Sequence, residues 1–150
     1  MLIMKNSFIV FIIQTLIALC IDLFFFFLLE KPMIYATLCV FAREAIHGAW
    51  YRVGTLMVLI SCQFFIYVGS FGLPLLYLLP IAYVGRRIGR SCYVTPIYPY
   101  AVLITCLLAQ RFFIEHLILR IPITPSYTIT TIFANIVILT VFSWFSRDDH

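Results

Sequence analysis

Charge is the scarcest commodity in this sequence. Ten Lys and Arg and six Asp and Glu amount to 11% of 150 residues, against 64% hydrophobic residues and a mean hydropathy of +1.09. An ordinary soluble domain is about a quarter charged, so the chain has too little polar surface to cover a water-facing exterior. Glycine-rich phosphate loops and dinucleotide fingerprints are missing, and Ser61, Ser70 and Ser91 have no nucleophile motif around them. The five cysteines form no C-x-x-C pair, no histidine is spaced for zinc, and the sequence calls for no cofactor. Four of those cysteines fall inside apolar runs, which predicts small buried hydrophobes. Beyond the Phe24 to Phe27 run there is no repeat or low-complexity stretch, so one domain fills residues 1–150. The net charge of +4 does not read as a nucleic-acid surface, because the basic residues stand singly except at Arg86, Arg87 and Arg90.

What is present is a series of apolar runs, and they predict an all-α membrane protein: a compact bundle of about six transmembrane helices, some short or kinked, at 8–29, 33–48, 53–68, 73–85, 100–119 and 127–145. The first run is broken only by Gln14, Thr15 and Asp22 and stops at Glu30-Lys31-Pro32. It lacks a small-x-small cleavage site, so it reads as a retained span rather than a signal peptide. The second is the weakest. Met33 to Ala42 is about half the twenty or so residues needed to cross ~30 Å of hydrocarbon, so it needs its polar continuation through Arg43 and Glu44 to Gly48. Gly69 and Gly72 permit a tight reversal into the fourth span, where Pro74 and Pro80 predict a kink and Arg86, Arg87 and Arg90 mark the end. Residues 91–99, with Pro96 and Pro99, read as a loop.

Basic residues orient the bundle. With both termini cytoplasmic, the inner segments hold Lys5, Arg43, Arg52, Arg86, Arg87, Arg90 and Arg147, and the outer ones Lys31, Arg111 and Arg120, as the positive-inside rule requires. A five-span arrangement, with 33–48 lying in the interface, would put the Arg86 cluster outside.

Few residues are candidates for chemistry. Asp22 lies deep in the first span, with Arg111 or Arg52 as candidate partners or, alternatively, a hydrogen-bonded structural role. Arg43, Glu44 and His47, together with Glu115 and His116, imitate a metal site without its ligand spacing. Arg86, Arg87 and Arg90 serve as a topology anchor or as a dock for an acidic partner segment. Gly54, Thr55, Ser61, Cys62, Gly69 and Gly72 would let helices approach closely, within the chain or in self-association.

From Arg52 to Arg90 the chain reads RVGTLMVLISCQFFIYVGSFGLPLLYLLPIAYVGRRIGR, which resembles the signature stretch of the MreD family of rod-shape-determining proteins. Gly54, Gly69, Gly72, Tyr77, Tyr83, Gly85 and Arg86 occupy its Gly-led span, G-x-x-G turn, Leu/Tyr-rich short span and Gly-Arg exit. Many members carry an acidic residue late in the third span, where this chain has Gln63-Phe64-Phe65. The resemblance implies a non-enzymatic scaffold in the bacterial inner membrane, a subunit of the cell-elongation and peptidoglycan-synthesis machinery that binds the single-span MreC protein. The outline also resembles the S-components of energy-coupling-factor vitamin transporters, whose six-span bundle holds a small molecule. In that reading Tyr67, Ser70, Gln110, Arg111, Glu115 and His116 would supply an outer binding site. A lipid-metabolising enzyme ranks third, since such chemistry asks for clustered acidic residues to hold Mg²⁺.

Overall fold

The computed structural model describes the backbone of residues 2–29, 35–69, 72–91, 97–118, 120, 122 and 124–145, and the side chains of most of these. Among the described residues there are six α-helices and no strand: α1 (Leu2–Leu29), α2 (Ala36–His47), α3 (Trp50–Val68), α4 (Leu75–Ser91), α5 (Tyr98–Gln110) and α6 (Pro125–Phe145). A π-helix over Arg111–Ile118 prolongs α5.

Each helix follows an apolar run, and glycine and proline set several of its limits. Gly69 and Gly72 take left-handed φ values of 77° and 91°, which L-residues with a Cβ resist, and they turn α3 back into α4. The Gly69 amide closes α3 on the Phe65 carbonyl at 2.9 Å. Pro99 and Pro125 lie in the first turns of α5 and α6, where an absent N–H costs nothing. Pro80 lies inside α4 and leaves that turn one backbone hydrogen bond short.

Three expectations need correcting. Helix α4 does not end at the arginines: it continues through Arg86, Arg87 and Arg90 to Ser91, because no proline interrupts that stretch and Gly85 and Gly89 weaken a helix without ending it. Helix α5 begins at Tyr98, since Pro99 suits a first turn and does not prolong the loop. The second apolar run gives only the 12-residue α2, ~18 Å long at 1.5 Å per residue, which is too short to span ~30 Å alone. Two helices are long and apolar enough to cross a membrane, Phe8–Leu28 and Pro125–Trp144, and Trp50–Ile66 is a shorter apolar helix.

Short as it is, α2 is the centre of the molecule. It packs against α1, α3, α4, α5 and α6, and of its residues only Arg43 and His47 are not buried. Phe41 and Leu38 are fully buried with Leu56 and Ile60 of α3, Leu78 of α4, Leu103 and Leu107 of α5 and Leu139 of α6. The outside is as apolar as the inside. Phe27, Leu76, Ile97 and Phe133 are 69–76% exposed, whereas Asp22, Glu44, Gln63, Gln110, Arg111 and Asn135 are buried.

Neighbouring helices alternate in direction. Phe8 meets Tyr51 and Phe11 meets Arg52, so the starts of α1 and α3 share one end with the end of α2. Arg43 reaches the Phe142 carbonyl and Arg86 the Gly48 carbonyl, which brings the ends of α6 and α4 there as well. The opposite end holds the starts of α4 and α6 and the end of α5.

Gly54 and Phe41 predict opposite mutational outcomes. A Cβ on Gly54 would meet no heavy atom within 4 Å, so this glycine does not draw α3 against a neighbour within the chain. Gly54→Ala is expected to leave stability unchanged or raise it by up to about 1 kcal/mol through helix propensity. Phe41→Ala should cost about 3–5 kcal/mol, by loss of packing and cavity formation. Denaturant titration of the detergent-solubilised chain, followed by circular dichroism, measures both.

Candidate functional site: the two termini of the central helix

A helix leaves its first backbone N–H groups without acceptors, and in an interior that water does not reach each must find one. Helix α2 begins in the interior, and its N-cap residue Tyr35 supplies no side-chain cap. The acceptors come from other helices. Asp22 of α1 accepts the amides of Ala36 (2.5 Å) and Thr37 (3.1 Å) and the Thr37 hydroxyl (2.5 Å). Gln63 of α3 donates its Nε2 to Asp22 at 3.3 Å and to the Thr37 hydroxyl at 3.2 Å. Asn135 of α6 accepts the Tyr35 amide at 2.8 Å, donates to its own helix at the Thr131 carbonyl (2.7 Å), and accepts a weaker contact from the Cys39 thiol. A carboxylate here meets the positive end of the helix dipole. Asp22 pairs with neither candidate arginine: Arg52 faces Glu44, and Arg111 stacks on Tyr127.

The other terminus of α2 carries the complementary charge. Glu44, 5% exposed, lies 3.6 Å from Arg43 and 3.7 Å from Arg52. Arg52 also sits over the rings of Phe11 and Tyr51. Arg86 donates Nη2 to the Gly48 carbonyl at 2.5 Å and lies 4.6 Å from the centre of the Trp50 ring. Gly48 closes the helix on the Glu44 carbonyl at 2.7 Å. Its φ of −79° suits any residue, but a Cβ there would come within 2.7 Å of that carbonyl and closer still to the Glu44 side chain. Glycine is therefore required by contact. Cations at a helix C-terminus complete the dipole's complement.

A third polar group lies at the opposite end of the bundle. Tyr77 donates to Gln110 at 3.2 Å and stacks on Phe113, and the buried Arg111 guanidinium lies 4.1 Å from the Tyr127 ring centre. The helix widens to π geometry immediately afterwards, and His116 is exposed beside Phe112. Glu115 lies in that π segment and Arg90 in the last turn of α4, but their side chains fall outside the described residues, as do those of Tyr67 and Ser70.

Of the other residues singled out from sequence, Gly85 is buried with Val102 at van der Waals distance, while Tyr83 and Arg87 are exposed. The cysteines divide: Cys39 and Cys106 are buried, and Cys20 and Cys62 are exposed. Among the described residues no three His, Cys, Asp or Glu come together. An open apolar groove of about 480 Å³ runs along α1, lined by Leu16, Ile17, Cys20, Ile21, Phe24 and Phe25. Sequence reasoning passed over Asn135 and Thr37. The signal for Asn135 was an amide inside an apolar run; Thr37 had none, because a helix start 35 residues into the chain is not capped from its own sequence. Against protein-family models, curated proteins and solved structures, the chain gives no match.

Removing the cap isolates its contribution. Asp22→Ala leaves two backbone amides, the Thr37 hydroxyl and the Gln63 amide short of an acceptor, at about 1–3 kcal/mol for each buried group so orphaned. Asp22→Asn keeps one acceptor oxygen but turns its NH2 toward at least one backbone amide that the other carboxylate oxygen held, so it should cost about 1–3 kcal/mol, less than Asp22→Ala. Equal losses in the two variants, measured by denaturant titration in detergent, would show that charge and not capping holds α2.

Proposed function

We propose that this chain is a non-enzymatic scaffold subunit embedded in the bacterial inner membrane, which holds a single-span MreC-like partner for the cell-elongation machinery. The inverted distribution of side chains carries the proposal: among the described residues large apolar side chains are exposed on every helix but α2, whereas Asp22, Glu44, Gln63 and Asn135 are buried, with Asp22 and Asn135 accepting the amides at the start of α2. A surface of that kind is stable only in hydrocarbon, where every interior polar group needs a protein partner.

Six crossings are proposed, with the arginine end cytoplasmic, and the alternating helix directions support them. Phe8 and Phe11 near the start of α1 meet Tyr51 and Arg52 at the start of α3, which supports six crossings over five, because five would put those two starts on opposite sides. A short helix that begins inside a bundle is tolerated in membranes where protein surrounds its terminus.

The resemblance to the MreD family covers α3 and α4. Within it, Leu76, Leu79 and Tyr83 are 75%, 59% and 56% exposed and follow one another at helical spacing along α4. This ridge is the face offered to the partner's single helix. The vitamin-binding alternative draws no support from Gln110 and Arg111, which are 1% and 4% exposed and packed on Tyr77 and Tyr127.

Co-expression with an MreC-family protein, followed by purification in mild detergent, is expected to yield a complex. Leu76→Trp combined with Leu79→Trp should lower recovery of the partner roughly tenfold, a change of ~1.4 kcal/mol in binding, without altering thermal unfolding of the chain alone. Purification with a stoichiometric small molecule and no partner would overturn the scaffold role. A folded, monodisperse chain in buffer without amphiphile would overturn the membrane assignment.

A further inference from the structure

The ridge of α4 proposed for the partner encloses one polar group. Pro80 has no N–H, so the carbonyl of Leu76, four residues before it, loses its α-helical donor, and the pyrrolidine ring crowds that carbonyl. The following amide, on Ile81, belongs in an α-helix to the carbonyl of Tyr77. Leu76 and Pro80 are both exposed, and Leu79 and Tyr83 flank them on the same face. Among the described residues no side chain donates to this acceptor: α4 has no Ser or Thr before Ser91, and the hydroxyl of Tyr77 goes to Gln110 on the inside. Pro80 stands six residues before Arg86, ~9 Å toward the middle of the bundle at 1.5 Å per residue. In the proposed membrane that depth is hydrocarbon, where no water reaches an exposed carbonyl.

We infer that the partner's span carries an amide side chain, Asn or Gln, that donates a hydrogen bond to the Leu76 carbonyl; the inference rests on the scaffold reading above and names the chemistry of its partner. Apolar packing along Leu76, Leu79 and Tyr83 holds a helix without choosing its register, because one leucine there serves as well as another. A single acceptor set among them does choose, since it fixes the height and the rotation at which the donor must lie. An acyl chain has no donor to offer, so lipid covers the ridge and leaves the carbonyl unmet. A second copy of this chain is a poor source as well. The exposed hydroxyls of Thr55, Thr105, Thr130 and Thr140 each donate at 2.8 Å to the carbonyl four residues back in their own helix. A hydroxyl has one proton to give and spends it there, whereas an amide NH2 has two and reaches across to another helix.

The test places the full chain in phosphatidylcholine vesicles with a fluorescent polyleucine single-span peptide, dilute enough that peptides do not pair, and reads binding by energy transfer. Peptides with one leucine replaced by asparagine at successive depths are compared with the all-leucine peptide. The expected result is one depth, level with Pro80, at which asparagine tightens binding roughly three- to tenfold. Pro80→Ala, which returns an N–H to α4, should erase that gain and leave the all-leucine peptide bound. Equal affinity at every depth, or a gain that survives Pro80→Ala, would overturn the inference. Should Pro80→Ala fail to fold, the depth decides: a maximum level with Pro80 supports the bond, and a maximum elsewhere sinks it. Binding that ignores asparagine yet falls with Leu76→Trp and Leu79→Trp removes this inference and keeps the ridge; failure of the MreC-family complex to form removes the scaffold reading itself.

Discussion

The molecule is organised around one borrowed cap. Helix α2 starts in the interior, with no side-chain cap from its own N-cap residue, and the carboxylate of Asp22 reaches across from α1 to accept its first amides. Asn135 does the same for the amide before them from α6, and Gln63 ties Asp22 and Thr37 to α3. Three helices are thereby fixed to one point on a fourth. In a low-dielectric interior each such bond is favourable mainly because its absence would leave a buried group unpaired. That penalty fixes the register of α1, α3 and α6 against α2 more tightly than apolar packing could, since one Leu can replace another at little cost.

The termini of α2 are satisfied by opposite chemistry. A carboxylate sits where the helix dipole is positive, and guanidinium groups sit where it is negative. Those same arginines orient the bundle in the proposed membrane, so one set of residues closes a helix and marks a side. This economy explains how a chain with sixteen charged residues can use several of them inside. It also distinguishes the two ends: the arginine end is rimmed by exposed Trp50 and Tyr51, while at the other, among the described residues, Tyr77, Gln110 and Tyr127 gather near Arg111.

Much of this was legible in the residues alone, because helix and hydrocarbon leave strong periodic and compositional marks. The apolar runs located all six helices, and Gly69 and Gly72 gave the reversal whose positive φ angles the structure displays. The weakness of the second run was visible as a shortage of apolar residues. What could not be read was that this weak element is the core, since burial by protein and burial by lipid select the same side chains. Asp22 stands out as a charge in an apolar run and reads either as a hydrogen-bonded structural residue or as the partner of an arginine; the structure shows the hydrogen bonds, but the sequence does not say which groups make them. A backbone amide fourteen residues away has no letter of its own. The close approach of Gly48 to Glu44 was hidden for the same reason: its φ is ordinary, and only the packed neighbour forbids a side chain.

The bond between Tyr35 and Asn135 joins residues 100 positions apart. A ribosome delivers α1, α2 and α3 long before it delivers α6, so the beginning of α2 must wait, incompletely capped, while the rest of the chain is made. In the proposed membrane setting the nascent protein then carries an exposed polar helix end that lipid does not satisfy, and α2 is too short and too weakly apolar to be held by hydrocarbon alone. Biogenesis therefore ends with a closing step, in which the last helix docks and the half-built interior becomes dry. In that proposed setting the insertion machinery, and not the bilayer, is the natural shelter for the segment that becomes the centre of the protein.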